Sequence, residues 1–117
     1  MRFRDVMTNP QATPNKRITM LESIVNAGKA DSFAFYALAL EYRKESRLED
    51  ALKIFGSLRE RDPDYLPMYL MAGQIYVAAA RFTEARDWLE AGLRLAQTKG
   101  DSKAFGELQA ELGQVKA

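Results

Sequence analysis

Two acidic pairs in this chain are spaced closely enough to suggest catalysis. Glu41 and Glu45 stand four residues apart, and Asp62 and Asp64 flank Pro63. Paired carboxylates can divide general-acid and general-base work when a concave site holds both at a reacting group. The spacing of Glu41 and Glu45 instead puts them on the surface of a helix, and Asp62 and Asp64 belong to a turn. Histidine and cysteine are absent from the sequence. Their absence rules out Ser–His and Cys–His nucleophile pairs, zinc sites built from those ligands, and disulfides. The remaining carboxylates, Lys, Tyr, Ser and Thr form no acid–base constellation, so no enzymatic activity, cofactor or metal is expected.

Basic residues offer a second chemistry. Arg2, Arg4, Lys16 and Arg17 face only Asp5 at the start of the chain, close to Phe3. RNA contact through this segment is therefore an alternative. Elsewhere the chain lacks a basic face with stacking aromatics, and its formal net charge is +1, so nucleic acid is not the expected partner. The opening MRFRDVMTNPQATP has no apolar run of leader length, and no stretch approaches a membrane span. The expected location is the cytoplasm. Residues 1–13 carry no hydrophobic period and are read as a flexible tail.

From residue 14 onward the pattern is helical. Thr13-Pro14 suits an N-cap followed by Pro at the first helical position, with Ile18, Leu21, Ile24 and Val25 on one face and a stop at Gly28. Asp31 or Ser32 can cap a second helix running to about Lys44. Its centre, from Phe33 to Leu40, is apolar all round, which predicts burial on more than one side. Leu48, Ala51, Leu52, Phe55 and Leu58 stripe a third helix that Asp62-Pro63 ends. Asp64 is expected to cap the fourth, with Pro67 in its first turn. Phe82 to Leu95 pattern the fifth, and Gly100 ends it. Phe105, Leu108, Leu112 and Val115 share a face of the sixth. No stretch alternates like a strand. With 117 residues and 47% hydrophobic content, the chain can build one all-α domain.

These helices repeat. Phe35, Ala39, Tyr42, Leu48, Asp50, Ala51 and Phe55 recur as Tyr69, Gly73, Tyr76, Phe82, Glu84, Ala85 and Leu89, each about 34 residues later. A fixed step of that size marks a helical array. The quoted positions resemble the tetratricopeptide repeat. In units beginning at Ser32 and Leu66, the motif's aromatic, small, Tyr, large apolar, Ala and apolar positions are filled in both copies. Its closing Pro is present as Pro63 only. Gln97 takes its place in the second unit, so the fifth helix can run on toward Lys99. Ala80 stands where Gly is common in the turn between helices.

The resemblance implies a right-handed helix-turn-helix array over residues 14–117. It comprises a capping helix at 14–28, repeats at 32–65 and 66–99, and a covering helix at 101–116. It also implies a non-catalytic interaction module that serves as an adaptor or scaffold. In this family the first helix of each unit lines a concave groove. The positions that would face it here are Phe33, Tyr36, Leu40, Arg43, Leu70, Gln74 and Val77, an apolar and aromatic set. The charged clamp with which one sub-class holds acidic chaperone tails is missing, because Tyr36, Leu40 and Met71 occupy its positions. A protein or peptide with apolar anchors is the expected partner. Two other uses of the surface stay open: cover by the first helix or by the tail through Phe3, Val6 and Met7, and contact between two copies in a self-associating structural subunit. Trp88 is expected to pack against the helix that follows it.

Overall fold

The computed structural model describes residues 15–116. Among these residues there are six α-helices: α1 Lys16–Asn26, α2 Ser32–Lys44, α3 Leu48–Arg61, α4 Pro67–Ala78, α5 Phe82–Lys99 and α6 Ser102–Leu112. Each helix packs on its neighbours in the chain, and α6 also lies against α4. Short connections make successive helices antiparallel, so α2, α4 and α6 run in a common direction.

The start of each helix has a local cause. Asn15 caps α1 by accepting from the Ile18 N–H at 3.0 Å; the expected Thr13-Pro14 start lies outside the described residues. Asp31 caps α2 through the Ala34 N–H at 2.8 Å, and Asp101 caps α6 through that of Ala104 at 3.0 Å. Asp64 does not cap α4. Leu66 precedes the helix without a side-chain cap, and Pro67 begins it. Pro67 has no N–H to satisfy. The next two amides turn to the carbonyls of Tyr65 and Leu66 instead, so no carboxylate is needed there.

The two units close their inner turns identically. Ser46 and Ala80, 34 residues apart, are both left-handed, with φ of 62° and 58°. The Arg47 N–H reaches back to the Tyr42 carbonyl at 2.8 Å, and the Arg81 N–H to that of Tyr76 at 2.9 Å. This is the Schellman closure of a helix C-terminus. Arg47 then lies over the Tyr42 ring at 4.5 Å and Arg81 over Tyr76 at 4.9 Å, paired with Asp50 and Glu84 respectively. A left-handed residue with a Cβ is strained by about 1–2 kcal/mol, part of which glycine returns through its freer unfolded chain. Ala80→Gly is therefore expected to raise stability by up to about 1 kcal/mol. The measure is the urea unfolding midpoint, and an unmoved or lower midpoint refutes strain at this turn.

Small residues hold the helices close. Ala39, Ala51 and Ala85 are fully buried, as are the side chains of Phe55, Leu58 and Leu89 around them. A Cβ at Gly73 would stand 2.4 Å from Cδ2 of Leu89, so alanine there would require the buried Leu89 side chain to move. Glycine in the middle of a helix costs helical propensity, and here it is what admits the neighbouring leucine.

α2 is less enclosed than its composition predicts. Phe33 is 66% exposed, whereas Phe35, Leu38, Ala39 and Tyr42 are buried. The array leaves the first turn of α2 at the open face, where no later helix covers it.

Candidate functional site

The acidic pairs are used structurally. Glu41 is buried and receives the Arg17 guanidinium of α1 at 2.9 Å, with Lys44 3.9 Å away. Burial pushes the Glu41 carboxyl upward. The hydrogen bond from Arg17 and the charges of Lys44 and Arg17 outweigh that effect and hold it below the usual carboxylate range. Glu45 accepts instead from the Asn15 amide at 3.1 Å. Asp62 takes the Ser32 hydroxyl at 2.5 Å, and Asp64 is exposed. Among the described residues, no three acidic side chains gather as a metal site would require. Tyr42, at the same junction of α1 and α2, donates to Glu22. Burial first, and that hydrogen bond second, push its phenol up to about 12.

Trp88 is buried, as expected, but its aromatic neighbours lie on α4 rather than on the following helix. Its ring centroid is 5.7 Å from that of Tyr69 and 6.4 Å from that of Tyr76, and Arg59 of α3 covers it at 4.7 Å. Arg59 also pairs with Asp87 at 2.9 Å. The indole thus fastens the second unit to the end of the first.

Two of the sequence-derived groove residues, Tyr36 of α2 and Leu70 of α4, meet in a concave pocket of about 210 Å³. Leu66, Pro67 and Met71, at the start of α4, line it too. Asp101, Ala104, Glu107 and Leu108 close it from α6. Tyr36 is half-buried, its ring 5.3 Å from that of Tyr65 and 6.3 Å from that of Phe55. Burial raises its phenol above the ordinary value, as does the neighbouring Tyr65, while Arg43 opposes the shift. Arg43 does not line the pocket; its Nη1 is 3.3 Å from the sulfur of Met71, which does.

The other sequence-derived residues are placed differently. Leu40 and Val77 are half-buried and pack against the core, Gln74 is half-exposed, and Phe33 projects from the first turn of α2. None of these four lines the pocket. No α1 residue lines it either, so the first helix does not cover it; Phe3, Val6 and Met7 lie outside the described residues.

The contribution of α6 was missed in the sequence, although a signal for it exists. Tyr36, Leu70 and Ala104 are spaced by 34 residues, as are Leu40, Gln74 and Leu108, and Phe33, Pro67 and Asp101. One further step of the repeat reaches the α6 side of the pocket. The motif's aromatic and small positions fail there, because Lys103 and Glu107 occupy them. Those positions serve packing against a second helix of the same unit, and among the described residues α6 has none after it.

With this geometry in hand, comparison with known proteins is direct. A family model of the tetratricopeptide repeat matches residues 42–112, and the chain belongs to that family. A tetratricopeptide repeat domain protein from Salinibacter ruber is 35% identical over 73% of this chain. Its solution structure superposes with a TM-score of 0.68 and is covered over 86% of its length. Its crystal structure gives 0.69 and 96%. A Bordetella parapertussis protein is similar in fold, with a TM-score of 0.72 and 24% identity over 84% of this chain and 85% of its own. No curated protein matches. The family consists of protein–protein interaction modules and is generally non-catalytic. No described helix is long and apolar enough to cross a membrane.

Proposed function

We propose that this chain is a non-catalytic adaptor that takes an apolar peptide or helix on the concave face formed by α2, α4 and α6. One observation carries the reading. Tyr36 and Leu70, 34 residues apart, converge with Pro67 on an open pocket backed by the buried Leu108, and a folded chain gains nothing from leaving the first three exposed or half-exposed around a hollow. Phe33, in the first turn of α2, is a further exposed apolar side chain. An entering aromatic or aliphatic side chain would complete the burial of these groups, which is how anchor residues supply most of an interface's affinity.

The double substitution Tyr36→Glu and Leu70→Glu tests this. The helical circular-dichroism signal should persist, because both side chains are already partly in solvent. Capture of partner proteins by the immobilised domain should be abolished. Unchanged capture by a folded double variant sinks the groove as the binding surface. Sedimentation over a range of concentrations separates a contact between two copies, since only that makes the mass rise with concentration.

A further inference from the structure

We infer that the pocket selects an apolar anchor flanked by a basic side chain, Lys or Arg, that enters from the α6 side. The inference rests on the groove reading above and adds the chemistry of the partner. Two of the pocket's lining side chains are charged, and both are carboxylates, Asp101 and Glu107. The rest of the wall is aliphatic apart from Tyr36, so nothing in the lining neutralises them. Lys103 does pair with Glu107 at 3.1 Å, but it is 84% exposed and lies outside the lining. An exposed i,i+4 pair of this kind is weak, and a ligand cation that reaches Glu107 from the pocket can replace it. Asp101 spends one oxygen on the Ala104 N–H, which leaves its other oxygen for a second donor.

A cation stands on the α2 side, outside the lining. Arg43 stands against Met71 there, seven residues beyond Tyr36 along α2, or about 10 Å along the helix axis. The pocket is thus acidic on its α6 side, with an apolar hollow beside it and Arg43 beyond Met71 on the α2 side. A bound segment has its orientation set by this polarity: anchor in the hollow, basic flank toward Asp101 and Glu107. Charge placed in this way contributes to specificity and register more than to bulk affinity.

The test titrates two capped peptides, Ala-Ala-Phe-Lys-Ala and Ala-Ala-Phe-Glu-Ala, into the isotopically labelled protein and follows backbone amide shifts. The basic peptide should move the Leu70, Ala104 and Glu107 signals and bind about fivefold more tightly at about 20 mM salt. The preference should shrink toward parity at about 0.5 M salt. It should also vanish in the double variant Asp101→Asn, Glu107→Gln, in which asparagine still caps α6. Equal binding, tighter binding of the acidic peptide, or a preference that survives in the double variant overturns the inference and leaves the groove standing. Failure of both peptides to move the pocket signals overturns the inference and the groove reading together.

Discussion

Trp88→Ala is expected to cost about 3–5 kcal/mol, a large share of the roughly 5–15 kcal/mol that holds a domain of this kind together. The loss has three sources. The indole is 7% exposed, so its removal leaves a void where α3, α4 and α5 meet. Tyr69 and Tyr76 lose the ring that each faces at an inclined angle, an arrangement worth more than its buried area alone. Arg59 keeps Asp87 and the Tyr69 ring but loses the nearer indole face. Urea unfolding followed by circular dichroism measures the effect; tryptophan fluorescence cannot, because Trp88 is the chain's single tryptophan. Trp88→Phe should recover much of the loss by keeping a ring in place. A cost below about 1 kcal/mol for the alanine variant would contradict the structural role assigned to this junction.

The second large effect is expected from adding a single methyl group. A Cβ at Gly92 of α5 would lie 2.6 Å from Cβ of Tyr69 and 2.9 Å from Cδ2 of Leu108. Leu108 could swing a terminal methyl aside, but the Cβ of Tyr69 is fixed to the α4 backbone. Gly92→Ala must therefore separate helices, at a cost of about 1–3 kcal/mol despite alanine's better helix propensity. Gly56→Ala is the control. A Cβ there meets nothing within 4 Å, so the propensity term acts alone and should stabilise by up to about 1 kcal/mol. Opposite shifts of the two unfolding midpoints are the expected result. A gain in both would show that α4, α5 and α6 are not packed through Gly92. Because Leu108 also lines the pocket, loosening this contact should weaken peptide binding as well.

The helices were legible in the residues because their signals are local. Caps at Asp31 and Asp101, stops at Gly28 and Gly100, and stripes such as Leu48, Ala51, Leu52 and Phe55 act within a turn or two of themselves. The 34-residue step supplied the array, because identical units stacked in series must bury the same positions in each copy. Where a local signal had a competitor nearby, the reading failed. Asp64 is a good capping residue, but backbone carbonyls at Tyr65 and Leu66 reached the open amides first.

The site was only partly legible, for a physical reason. Tyr36 and Leu70 follow from the period, yet a pocket is defined by what stands opposite, and that depends on how one helix lies on another. The docking of α6 on both α5 and α4 set Asp101 and Glu107 against Tyr36, from which they are more than sixty residues distant in the chain. Trp88 likewise meets Tyr69 and Tyr76 because α5 lies on α4. Sequence periodicity, a property of each helix by itself, dictated the helices, their order and the family. The pocket, its acidic side and the close contact at Gly92 arise only when crossing helices bring distant side chains within a few ångströms, and no single helix contains that information.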